Sequence, residues 1–181
     1  MVIHTERSRE EDRIVAALRS VFDASVMNFG SYNLLYAQNL LGDTGHPQEA
    51  AAAVQSADAD LSVQEAVTRS QDLLVGYRRE PVELVLCPFD TETVLERLGE
   101  YDDAVALAEV PALLNLTNLA GMATNGSLVE IAFSTGLRVT LDIQPVVTFE
   151  TPQLTLHQHL DAEDFFDFLD HFMDRVEQKQ P

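Results

Sequence analysis

With 181 residues, 46% of them hydrophobic, and 30 acidic against 11 basic side chains, the chain carries a formal net charge of −19. That length and apolar content support one sizeable core, so a single domain spanning 1–181 is expected. The charge repels a phosphate backbone and an anionic membrane surface alike, which excludes ordinary nucleic-acid and membrane binding and favours a basic partner.

The one cysteine, Cys87, precedes Pro88 in an apolar run. It has no internal disulfide partner and reads as core packing rather than as a nucleophile. Residues 1–12 are charged and lack the apolar stretch of a signal peptide, and no apolar run approaches the length of about 18 residues that spans a bilayer. A cytoplasmic location is expected, and the sequons at Asn115 and Asn125 are read as coincidence.

Ser8 with Glu11 three residues on has capping-box spacing, and Ile14, Leu18, Val21 and Phe22 share a face, which predicts a helix over 9–25. Asn28-Phe29-Gly30 signals a turn, and 32–38 then reads as a strand. From 42 to 72 the composition shifts to Ala, Gln, Asp, Ser and Glu. Pro47 and a second capping box at Ser62 suit one or two loosely packed helices in an insertion of low hydrophobicity. Residues 73–78 and 82–87 are apolar runs split by Arg79-Glu80-Pro81, hence consecutive antiparallel strands. Asp90 caps a short helix carrying Val94, Leu95 and Leu98 that stops at Gly99, and Pro111 opens another through Leu113, Leu114, Leu116 and Leu119 to Gly121. Asn125-Gly126 marks a turn. Residues 128–133 and 137–143 flank Ser134-Thr135-Gly136 as a hairpin, and 146–150 and 153–159 supply further strands.

At Asp161 the apolar period switches from two to three-and-four, so a strand feeds a closing helix striped by Phe165, Phe168, Leu169, Phe172, Met173 and Val176. This aromatic block is either the lid of the core or a dimer seam, and Phe165, Phe168 and Phe172 are its candidate interaction residues. Grouped strands with hairpin connections between helices make an α+β fold. Its antiparallel sheet is expected to carry an N-terminal helix, middle helices and a C-terminal amphipathic helix packed on one face.

Signatures of chemistry are sparse. His157 and His159, two apart on a strand, project from one face and with His171 form the candidate site for a divalent metal, although alternation alone also demands polar residues there. No cofactor is expected. Gly121 to Ser127 has the glycine spacing of a phosphate loop without its lysine, and Asp58-Ala59-Asp60 lacks the later ligands of a calcium loop. Tyr77, Arg78 and Arg79 gather positive charge whose simplest use is ion pairing with the many acids.

The element order, together with the closing phrase from Leu154 to Val176 and Leu114-Asn115-Leu116-Thr117-Asn118 before the hairpin, resembles the bacterial type III secretion chaperone-like fold, including YbjN-type sensory-transduction regulators. That resemblance implies a small acidic dimer that binds another protein and has no catalytic residues to transfer. The expected function is therefore a non-enzymatic, chaperone-like or regulatory protein interaction, with a homodimer facing a basic or partly unfolded partner. Its alternatives are a small-molecule or metal-binding protein or enzyme with a pocket near His157 and His159, and an acidic mimic of nucleic acid.

Overall fold

The first helix begins where its cap dictates. Ser8 accepts a hydrogen bond from the Glu11 amide at 3.2 Å while Glu11 Oε2 accepts from the Ser8 amide at 3.0 Å, the reciprocal pair that satisfies two otherwise orphaned donors. A computed structural model describes this helix within residues 8–26, 32–40, 59–96, 111–115, 118–150 and 153–179. The elements there are α1 (Arg9–Ser25), β1 (Asn33–Asn39), α2 (Ala59–Arg69), β2 (Asp72–Arg79), β3 (Val82–Pro88), α3 (Thr91–Glu96) and β4 (Ala112–Leu114). They continue as β5 (Leu119–Asn125), β6 (Leu128–Phe133), β7 (Arg138–Asp142), β8 (Val146–Glu150), β9 (Gln153–His157) and α4 (His159–Lys179).

Seven strands form one antiparallel sheet in the order β4-β3-β2-β1-β7-β6-β5, and β8 and β9 form a separate hairpin. The α+β expectation holds. Two buried clusters lie on opposite faces of the sheet, which is why β2 reads as an unbroken apolar run. Leu73, Val75 and Tyr77 point to one side and Leu74 to the other. On the first side α4 lays Phe165, Phe168, Leu169 and Phe172, all fully buried, over β1 and β2, with Val67 of α2 beside them. On the second side α1, α3 and the β8–β9 hairpin cover the β1–β3 half. There the Phe22 ring lies so close over Gly76 that a Cβ at that glycine would sit 2.2 Å from Phe22 Cζ. On that same side β5, β6 and β7 turn Ala123, Glu130 and Arg138 to solvent.

Glycine closes both turns of the β5–β6–β7 meander, with Gly126 at φ 61° and Gly136 at φ 92°, where a side chain is disfavoured. The polar anchors are internal ion pairs. Arg79 binds the Asp164 carboxylate at 3.0 Å and Tyr77 donates to it at 2.8 Å, which ties the first turns of α4 to β2. Arg78 pairs with Glu83, which also accepts from the Tyr32 hydroxyl, and the guanidinium stacks 4.5 Å above the Tyr32 ring.

Three expectations are corrected. The helix expected over 111–121 is two strands: Ala112 and Leu114 are buried and Leu113 is exposed, a period of two imposed by pairing with β3, while Leu119 to Asn125 pairs with β6. Its leucines satisfy a helical spacing, yet the open edge of β3 supplies hydrogen bonds that a short amphipathic helix there would forgo. Helix α2 starts at Ala59, upstream of the expected Ser62 box. The closing strand ends at His157, and α4 starts at His159 rather than Asp161. Residues 42–58 of the expected insertion, the 28–30 turn and the Gly99 stop lie outside the described residues. No helix among the described residues is long and apolar enough to cross a membrane.

Candidate functional site

The middle of the sheet is wedge-shaped. Strand β1 pairs with β2 from Asn33 to Gln38 but meets β7 only at Gln38 and Asn39. The chain leaves β1 after Asp142, because the Ile143 amide turns to the Ser127 carbonyl at 2.9 Å and Gln144 reaches back to the Asp142 carboxylate at 2.7 Å. Pro145 follows and directs the chain into β8.

Gln158 fills the narrow end of the wedge. Its Oε1 accepts from the Tyr36 amide at 2.9 Å, and its Nε2 donates to the Tyr36 carbonyl at 2.8 Å and the Gln144 carbonyl at 2.9 Å. A side-chain carboxamide thus takes the place of a strand residue opposite Tyr36. Its burial, at 3% exposure, is offset by complete pairing of the amide. The same residue caps α4, since its backbone carbonyl accepts from Ala162 at 2.8 Å.

Toward Asn33 the wedge widens into a cavity of about 220 Å³. Val15, Leu18 and Arg19 of α1 form one wall and Leu156, Gln158 and Asp161 another, with Leu34 and Tyr36 of β1 between them. Arg19 closes the end by donating through both terminal nitrogens to the Tyr32 carbonyl at 3.1 Å each. Backbone direction alternates along a strand. The Tyr36 groups point away from β2, the Asn39 amide points to Gln71 beside β2, and the Leu40 amide points to Thr140 of β7. Leu34 shares the parity of Tyr36 and Leu40, so its N–H and C=O face the cavity, and no described strand lies beside them.

His157 is held elsewhere. Its Nδ1 lies 2.5 Å from Glu11 Oε1, which also accepts from the His157 amide at 2.9 Å. Burial on its own pushes the Glu11 carboxyl up, but the hydrogen bonds from the His157 ring and from the Ser8 and His157 amides, with the charge on His157, outweigh it and bring the carboxyl down to about 2. His159 is exposed at the start of α4 and His171 is half-buried along it. The strand-face geometry expected for His157 and His159 is thus absent, because the helix begins between them. Among the described residues, no three His, Cys, Asp or Glu side chains gather to hold a metal ion. Phe165, Phe168 and Phe172 are buried inside their own chain, where they lie over the sheet. Cys87 is buried in the core.

Comparison with protein-family models, with curated proteins and with solved structures returns no match. The wedge itself was legible only in part. In the sequence, Leu154 and Leu156 set the inward phase of the last strand and Gln158 continues it, a carboxamide where an apolar side chain is expected. That phase is the signal that could have singled it out. Leu34 and Arg19 carry no such mark.

Proposed function

We propose that this is a non-enzymatic protein-interaction protein, which receives an extended segment of another polypeptide along the open side of β1. One observation carries the reading: the backbone N–H and C=O of Leu34 face a cavity, with no strand beside them among the described residues, in the rung next to one that a carboxamide already completes. Unpaired strand groups are templates for a further strand, and main-chain pairing there gives affinity while adjoining pockets give selectivity. The excess of 30 acidic over 11 basic residues supports a basic partner and speeds its approach.

The cavity itself favours a second reading, a small ligand with an amide or carboxamide group seated against Leu34. The two differ in what protects the Leu34 amide from exchange with solvent. A panel of capped tripeptides and of small aliphatic amides, followed by NMR on the full chain, tests both. Slowed exchange at Leu34 with peptides supports strand addition; protection by the small amides alone transfers the site to the second reading; no protection by either removes both.

A further inference from the structure

Resting on that reading, we infer that the segment β1 accepts is a short strand alternating apolar and basic residues, whose central apolar side chain enters the cavity beneath α1. The inference follows from the pairing geometry. A residue set opposite Leu34 exchanges two hydrogen bonds with it and carries its side chain on the same face of the sheet as Leu34. That is the α1 face, where Leu34 packs against the buried cluster containing Leu18 and Leu156. The cavity of about 220 Å³ falls short of the roughly 300 Å³ at which pockets for drug-sized ligands begin, and suits one branched aliphatic side chain. The residues on either side of this central one point to the opposite face, toward the first turn of α4, whose Asp161 lines the cavity. Among the described residues lining the cavity the one cation is Arg19, held by both terminal nitrogens on the Tyr32 carbonyl. The acid Asp161 lines the same cavity, and the net charge of −19 favours a basic segment over an anionic one.

The test uses four capped tripeptides with the full chain, short enough to lie between Gln158 at Tyr36 and Arg19 at Tyr32: lysine–leucine–lysine, the same peptide N-methylated at the leucine, its leucine replaced by alanine, and a version with glutamate for lysine. The expected result is that the leucine–lysine peptide slows Leu34 amide exchange and binds about tenfold more weakly when salt is raised. The alanine version should lose about tenfold in affinity and the N-methyl version should lose protection at Leu34. If the glutamate peptide protects Leu34 as well as the lysine peptide does, the charge assignment is overturned while strand addition stands. If the lysine peptide binds equally well N-methylated and leaves Leu34 exchange unchanged, attraction is merely electrostatic and both the inference and the proposed function fail. A Val15→Trp variant fills the cavity from α1 and should abolish protection with its thermal midpoint maintained. Retained protection in that folded variant overturns the placement of the side chain, and if it does not fold the alanine peptide decides the same point.

Discussion

The Gln158 carboxamide pairs with both backbone groups of Tyr36, at 2.9 Å and 2.8 Å, and so completes a rung of the sheet from a side chain 122 residues away in sequence. Truncating it leaves two buried backbone groups and the Gln144 carbonyl without partners. Gln158→Ala is expected to lower stability by about 2–4 kcal/mol, read from urea denaturation, since each unsatisfied buried group costs roughly 1–3 kcal/mol. A loss below about 0.5 kcal/mol would mean that the rung contributes nothing net.

Gly76 and Phe22 meet without room for a methyl group. Gly76→Ala should destabilise by about 1–3 kcal/mol through overpacking. The backbone is extended there, so the cost comes from the ring and a smaller partner should relieve it. In the Phe22→Leu background the same glycine substitution is expected to cost less than half as much, and a strictly additive double-mutant cycle would refute the contact as its cause.

Acid sensitivity should trace to Glu11 and Asp164. The folded-state pKa of Glu11, about 2, lies below the ordinary 4.5, so its contribution is whole above pH 4.5 and is lost as pH falls toward 2. Asp164 acts in the same direction, its carboxyl held below the usual carboxylate range chiefly by the Arg79 guanidinium and, against its partial burial, by the Tyr77 hydroxyl. Urea midpoints measured from pH 4.5 down to 2 should fall for the native chain. They should fall less steeply for Glu11→Gln, and an unchanged slope would show that the Glu11–His157 clasp forms equally in the unfolded chain.

Phe168 lies tilted against Tyr77 at 5.0 Å between ring centroids, stacks on Phe165 and meets Phe172. Phe168→Ala is expected to cost about 3–5 kcal/mol in thermal or urea unfolding, the range for emptying a large aromatic site in a core. A cost near 1 kcal/mol would mean that α4 closes over the space, and that the stripe is less firmly fixed than its burial implies.

Local physics was written plainly in the residues. The Ser8–Glu11 cap set the first helix at Arg9, and Gly136 with the two alternating runs on either side of it set the β6–β7 hairpin. The stripe on α4 announced a buried face, and its three aromatic rings lie over the sheet. What was hidden depended on partners distant in sequence. The stretch from Ala112 to Leu114 is a strand because β3 offers an edge, and nothing within those residues says so. Gln158 kept the inward phase of its strand, but its meaning required knowing that β7 abandons β1 after Asp142. The histidines suggested a site because their spacing was read through a strand that in fact turns helical between them.

The narrow joint between β1 and β7 also bears on how the sheet is assembled. Most rungs connect neighbours in sequence, within the β2–β3, β5–β6 and β6–β7 hairpins, and such local pairs close early because little chain entropy is lost. The joint is different: Thr140 donates to Asn39 Oδ1 across 101 residues, and Asn39 Nδ2 also holds the carbonyls of Thr68 and Ser70. One buried asparagine therefore ties the β1–β3 part of the sheet to the β5–β7 part, next to the Gln38–Asp142 pair that closes the longest loop among the described strands of the seven-stranded sheet. The folding rate, more than the final stability, should register what happens at Asn39.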